Sequence, residues 1–160
     1  MSSSRLWAPW RMEYVGDQGP KPACIFCELP DSDDPKGSLV LSAQEHFVVM
    51  LNRFPYNNGH LMVAPRQHTA NLMDLSEAGY AALMGELRRC CGVVREVLSP
   101  DGMNVGINLG AVAGAGIADH LHWHIVPRWN GDTNFMPVLG ETRVMPQHLE
   151  ASWEMFQSHF

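Results

Sequence analysis

Residues 118–132 read ADHLHWHIVPRWNGD, and three of the chain's eight histidines, His120, His122 and His124, stand at alternate positions within them. Successive side chains of an extended chain point to opposite faces. The run therefore reads as a strand with an imidazole face, whose neighbouring rings lie ~7 Å apart. Leu121, Trp123 and Ile125 occupy the other face and are expected in a core, with Pro127 ending the strand. Chance yields such a run in about two per cent of chains this rich in histidine. A surface strand that merely carries histidines is thus a poor explanation, and a metal site and a catalytic site remain.

Working outward, the flanking segments supply the rest of a sheet. SLVLS (38–42), HFVVMLN (46–52), HLMVAP (60–65) and MNVGINLG (103–110) have strand composition. FPYNNG (54–59) is turn chemistry, and ELPDSDDPKGS (28–38) is an acidic Pro/Gly loop. Residues 74–98 form the clearest helix. Asp74 with Glu77 makes a candidate capping box, and Tyr80, Leu83, Leu87, Cys91, Val94 and Leu98 share one face. A short amphipathic helix is expected from about Gln147. Strands, one long helix and strands again, with short links, indicate an α+β fold on a mostly antiparallel sheet. The chain divides into an aromatic-rich arm (1–22), a core (23–130) and an extension (131–160) of one domain.

At 160 residues, 46% hydrophobic and 18% charged, the composition is that of a globular domain with its own core. A net charge of −6 argues against a nucleic-acid partner, which requires a basic face. It does not exclude small phosphorylated ligands, which backbone N–H groups can hold. No stretch approaches the ~18 apolar residues of a membrane span. The N-terminal residues lack an apolar run of signal length, so a cytoplasmic protein is expected. Of the four cysteines, adjacent Cys90 and Cys91 read as space-filling, whereas Cys24 and Cys27 form C-x-x-C, a metal or redox signal in such a chain.

Imidazole titrates near neutrality, so an unprotonated ring nitrogen is available to attack phosphorus and form a covalent intermediate. The other nitrogen must then keep its proton on a neighbouring acceptor. Flanking rings can hydrogen-bond the phosphoryl oxygens and the leaving group. Alternate spacing on a strand supplies one attacking ring between two helpers.

HLHWHIV resembles the histidine-triad pattern of the superfamily of nucleotide hydrolases and transferases. FVVMLNRFPYNNGHLMVAPRQH (47–68) is similar to that family's hairpin segment, and INLG (107–110) to its phosphate-side strand. The extension HLHWHIVPRWNGDTNF and the arm LWAPWRMEY resemble the bacterial branch related to diadenosine tetraphosphate phosphorylases and hydrolases. The resemblance implies a five-stranded, mostly antiparallel sheet. It implies His122 as nucleophile toward an α-phosphate and His124 at the phosphate and leaving-group oxygens. It further implies His60 as a supporting fourth histidine, Asn52 at the ribose hydroxyls and Asn108 at the phosphate. An adenine base is expected against Ile25, Phe26 and Phe47, read as strand side chains. The link LGAVAGAGIAD carries Ile117 where a serine is often found. Backbone N–H groups near Gly114, Ala115 and above all Gly116 are expected to substitute for that hydroxyl.

In family members with an early C-x-x-C, the pair is joined by histidines of these two kinds. The resemblance thus implies a structural zinc on Cys24, Cys27, His68 and His120, with four N/S ligands and no open position. It also implies a homodimer. The expected activity is cleavage of dinucleoside polyphosphates through a nucleotidyl-His122 adduct, with water or phosphate as acceptor. An adenosine phosphoramidase shares the fold and first step. A non-catalytic nucleotide-binding regulator would retain affinity and biology in His122→Ala. A catalytic metal would lose its first turnover before any unfolding once stripped.

Overall fold

The computed structural model describes residues 23–133 and 147–160. The arm, and the part of the extension between them, lie outside the described residues. Five strands form one sheet in the order β1-β2-β3-β5-β4: β1 (Val40–Ala43), β2 (Phe47–Leu51), β3 (Leu61–Pro65), β4 (Gly102–Ile107) and β5 (Trp123–Arg128). Every neighbouring pair is antiparallel. Among the described residues four α-helices accompany it: α1 (Ile25–Glu28), α2 (Pro35–Ser38), α3 (Glu77–Leu98) and α4 (Leu149–Gln157). The architecture is the α+β arrangement expected, with one long helix and a short helix near the end.

The period of two in the strands decides where everything goes. Val49, Leu51, Leu61, Val63, Trp123 and Ile125 face α3 and α4, where they meet Leu83, Cys90, Val93, Val94 and Phe156 in one apolar cluster. Val48, Met50, Met62 and Ala64 face the other way, and the single turn of α1 covers them with Phe26 and Cys24. The predicted stripe on α3 packs as expected from Leu83 onward, and Cys90 fills core. Tyr80, one turn from the helix start, is 43% exposed and only edges toward Trp123.

Several local expectations are corrected. α3 is capped by Ser76, whose side chain accepts from the Gly79 N–H. The carboxylate of Asp74 is instead engaged by Thr69 Oγ1 and Asn71 Nδ2. Ile25 and Phe26 belong to a helical turn, not to a strand. Pro127 does not end β5, which pairs through it to Arg128. β3 has stopped pairing by then, its last partner being Ile125. Asn57 Nδ2 donates to the Pro127 carbonyl on that vacated side, where the missing N–H of a proline costs no ladder bond.

Candidate active site and metal cluster

The histidine run approaches the sheet before it joins it. β5 begins at Trp123, so His120 and His122 lie on the extended lead-in and His124 on the strand itself. The Leu121 N–H donates to the Thr69 carbonyl at 2.8 Å, which anchors that lead-in to the loop after β3. Alternation holds across the junction. Leu121, Trp123 and Ile125 enter the helix-side cluster, and the three imidazoles take the opposite face. His122 and His124 are closer than strand spacing implies, with ring centroids 4.9 Å apart and nearly perpendicular.

The rings of His120 and His122 are each orientated by a bond that reveals the tautomer, because a carbonyl oxygen can only accept. His120 Nε2 donates to the Pro65 carbonyl at 2.8 Å, leaving Nδ1 with its lone pair. His122 is turned the other way. Its Nδ1 donates to the His120 carbonyl at 2.8 Å, leaving the lone pair of the neutral ring on Nε2. His124 Nδ1 lies 2.9 Å from His60 Nε2, while His60 Nδ1 accepts from the Tyr56 main-chain N–H at 3.1 Å. Burial is the largest influence lowering the pKa of all three, against bonds to carbonyls that raise those of His120 and His122. For His124, burial and the adjacent His122 bring the value down to about 4.

Phe26, fully buried, sits beneath this row. Its ring stacks on His122 at 5.0 Å and tilts against His120 at 5.2 Å. It therefore supports the imidazoles from behind and has no exposed surface to offer a base. Phe47 shares the parity of Val49 and Leu51 and packs on the helix side. There it borders a shallow cavity of about 360 Å³ with Glu86, Arg89 and Phe160. It is not brought together with the histidines, because strand alternation turns it to the other face of the sheet.

At the other end of the row, Cys24 is the N-cap of α1, which returns Cys27 to the same side one turn later, the Cys27 N–H donating to the Cys24 carbonyl. Cys24 Sγ lies 3.3 Å from His120 Nδ1, Cys27 Sγ 3.3 Å from His68 Nδ1, and the two Nδ1 atoms are 3.1 Å apart. The four ligand atoms of Cys24, Cys27, His68 and His120 all fall within 4.8 Å of one another. A zinc tetrahedron with bonds of ~2.0–2.3 Å has edges of roughly 3.3–3.8 Å, so this donor set fits such an ion. The free lone pair of His120 Nδ1 points among the sulfurs because Nε2 is spent on Pro65. The Cys27 thiol is pushed up by its burial and then by Cys24, which a bound cation would reverse.

The remaining expected residues are ordered around loops. Asn52 Oδ1 accepts from the Phe54 N–H at 2.9 Å, an Asx turn opening the β2–β3 connection. His60 follows Gly59, whose φ of +71° only glycine adopts without cost, and whose absent Cβ makes room for Leu98. Asn108 Nδ2 donates to the Gly114 carbonyl at 3.4 Å and braces the turn 110–115. The N–H groups of Gly114 and Ala115 are used within that turn, on Ala111 and Gly110. This removes both from the expected phosphate donors and leaves Gly116. Sequence reading missed Tyr56, Pro65 and Thr69. The last two act through main-chain carbonyls, for which side-chain identity carries no signal. Tyr56 acts through its N–H and through a ring lying 4.8 Å from that of His60 and 5.9 Å from that of His124.

No helix among the described residues is long and apolar enough to cross a membrane. The HIT domain family profile matches residues 36–131. An AP-4-A phosphorylase of Mycobacterium tuberculosis (strain CDC 1551 / Oshkosh) is 42% identical over 153 residues, covering 91% of this chain and 78% of that protein. An adenosine 5′-monophosphoramidase of Schizosaccharomyces pombe is 27% identical over 136 residues, covering 85% of this chain and 97% of its own. Among solved structures, a Zn-bound histidine triad family protein from Mycobacterium smegmatis superposes with a TM-score of 0.66 at 31% identity, covering 85% of this chain and 91% of that one. With the profile spanning more than half of its length and the three imidazoles on one face of its sheet, the chain belongs to the HIT, or histidine triad, family.

Proposed function

We propose that this protein cleaves dinucleoside polyphosphates, diadenosine tetraphosphate foremost, at the α-phosphate through a nucleotidyl-His122 intermediate. The observation that carries the reading is the orientation of His122. Its Nδ1–H is committed to the His120 carbonyl, so the Nε2 lone pair is available for attack in the unprotonated form. The 42% identity to the mycobacterial AP-4-A phosphorylase supports the substrate class over the phosphoramidate alternative, whose relative is 27% identical.

In this reading His122 Nε2 attacks in line and His124 hydrogen-bonds the phosphoryl and departing oxygens. Asn108 and the Gly116 N–H hold the phosphate, and Asn52 the ribose. Water or inorganic phosphate then frees AMP or ADP. Cys24, Cys27, His68 and His120 would hold a structural zinc. When bound, the ion would fasten α1 to the lead-in of β5, all four of its positions being filled by protein. The protein is proposed to act in the cytoplasm as a homodimer joined through β4. That strand ends the sheet and leaves Val105 46% exposed.

The test is rapid-quench intact-mass analysis with diadenosine tetraphosphate, with and without inorganic phosphate. The expected result is a protein heavier by one adenylyl group, lost in His122→Ala. ADP formed only with phosphate identifies a phosphorylase, and ATP plus AMP a hydrolase. Absence of the adduct from an active preparation overturns the reading.

A further inference from the structure

The carbonyl that accepts from His122 belongs to a rigid unit that is held at its other end. A trans peptide is planar, so the His120 carbonyl and the Leu121 N–H share one plane and point in opposite directions. The Leu121 N–H donates to the Thr69 carbonyl at 2.8 Å, and the His120 carbonyl accepts from His122 Nδ1 at 2.8 Å. The Leu121 side chain is buried in the helix-side cluster, and the His120 ring is tied to the Pro65 carbonyl. Rotation of that plane therefore strains both of its hydrogen bonds together. A bond at the N–H also polarises the peptide and strengthens its carbonyl as an acceptor.

Thr69 is itself aimed. Its hydroxyl donates to Asp74 Oδ2 at 2.7 Å, the Asn71 carbonyl lying farther off at 3.4 Å, and accepts from the Asn71 N–H at 3.1 Å. Asp74 Oδ1 accepts from Asn71 Nδ2 at 3.1 Å, and the Asp74 N–H donates to the Asn71 carbonyl at 3.1 Å. Gln67 Nε2 donates to the Asp74 carbonyl at 3.3 Å. These bonds close the segment 67–74 on itself, and buried Thr69 stands where it meets the lead-in of β5. Asp74 is exposed and lies just before α3, yet its carboxylate serves this loop while Ser76 caps the helix. Capping of α3 thus does not account for it.

We propose that Thr69 and Asp74 are positioning residues for the nucleophile: the 67–74 loop fixes the peptide plane between His120 and Leu121, and that plane fixes the rotation of the His122 ring. This rests on the reading of His122 as nucleophile. In-line attack needs the Nε2 lone pair on the axis of the breaking P–O bond, and a misplacement of about 1 Å can cost about a hundredfold in rate. Once the His120 carbonyl turns away, the imidazole can swivel and its proton is free to move to Nε2, the tautomer that cannot attack. The loss then falls on the chemical step. Nucleotide affinity, assigned in the same reading to Asn52 and Asn108, is left alone.

The experiment measures single-turnover formation of adenylyl-His122 from diadenosine tetraphosphate, with AMP affinity and melting temperature, in variants compared at equal metal content. Thr69→Val removes the hydroxyl but keeps the carbonyl and the branched shape. It is expected to slow adenylation by about ten- to a hundredfold while AMP affinity changes by less than about threefold. Thr69→Ser restores the hydroxyl and stays within about threefold of the unaltered rate. Asp74→Ala, at an exposed position, carries the test if Thr69→Val does not fold, and is expected to lose about tenfold. Ser76→Ala, which removes the α3 cap, lowers the melting temperature and leaves adenylation unchanged. Nitrogen-15 NMR of the imidazoles should show His122 leaving the pure Nδ1–H form in Thr69→Val and Asp74→Ala but not in Ser76→Ala. Full-rate adenylation in Thr69→Val or Asp74→Ala with the tautomer unchanged overturns this inference and leaves the covalent reading standing. So does a loss in Thr69→Ser or Ser76→Ala as large as in Thr69→Val. Absence of the adduct from the unaltered, active protein removes both.

Discussion

His120 and His122 are two residues apart on one face, yet they are turned in opposite senses. His120 spends Nε2 on the Pro65 carbonyl and offers Nδ1 to two sulfurs and a second imidazole. His122 spends Nδ1 on the carbonyl of His120 itself and keeps its lone pair on Nε2. One residue type, one parity and one buried setting thus yield two opposite orientations, which in the proposed reading serve a metal ligand and a nucleophile. The difference lies in which main-chain oxygen each ring can reach. In the proposed reading the two ends are coupled, because the residue that would bind the metal also supplies the acceptor for the His122 Nδ1–H.

The largest effect expected from breaking this pair is at the reactive end. His122→Ala should lower kcat/KM for diadenosine tetraphosphate by about ten-thousandfold or more while the metal content of the protein is unchanged, as measured by turnover and by elemental analysis. At the other end, Cys24→Ser should lower zinc affinity by at least about a hundredfold in chelator competition. It should also slow adenylation of His122, since the His120 carbonyl loses its anchor. Unchanged adenylation in the zinc-free variant would show that the two ends are independent. Phe26 joins them, as its ring touches both imidazoles. Phe26→Ala should cost about 3–5 kcal/mol in urea unfolding and weaken both properties together.

Two smaller effects sharpen the comparison. Gly59→Ala forces a left-handed backbone and a clash with Leu98 immediately before His60, and should destabilise by about 1–3 kcal/mol. The pH dependence has a definite sign. His124 is brought down from 6.5 to about 4, so between those values the unfolded chain binds the proton that the folded chain refuses. Stability therefore rises with pH across that window and is lost as pH falls through it. Partial exposure of the ring moderates the effect, and a Tm about 3–6 °C lower at pH 5 than at pH 7 is expected by calorimetry. His124→Gln should flatten that dependence.

Much of this arrangement was legible in the residues. Alternation alone put His120, His122 and His124 on one face and Leu121, Trp123 and Ile125 in the core, and helical spacing found α3 and most of its buried stripe. The placement of Phe47 failed through neglect of the same rule, since its register with Val49 and Leu51 turns it to the helices. The cap of α3 failed because Asp74 and Ser76 are both competent, and tertiary bonds from Thr69 and Asn71 claim the first. What no sequence pattern displays is the tautomer of each imidazole. That is decided by the carbonyls of Pro65 and His120 and by the N–H of Tyr56, main-chain groups common to every residue type except proline's missing donor.

The two borders of the sheet are finished differently. Trp153 on α4 donates through Nε1 to the Val40 carbonyl of β1 at 2.8 Å, and Lys36 ties α2 to Glu154 of the same helix. β4 at the opposite border has no comparable cover among the described residues, and its side chains are mostly exposed. Among the described residues, only the β4 border is thus left open to the addition of strands. In the proposed homodimer each copy would turn its covered β1 border outward, so that such an association would stop at a pair and not run on into a fibre.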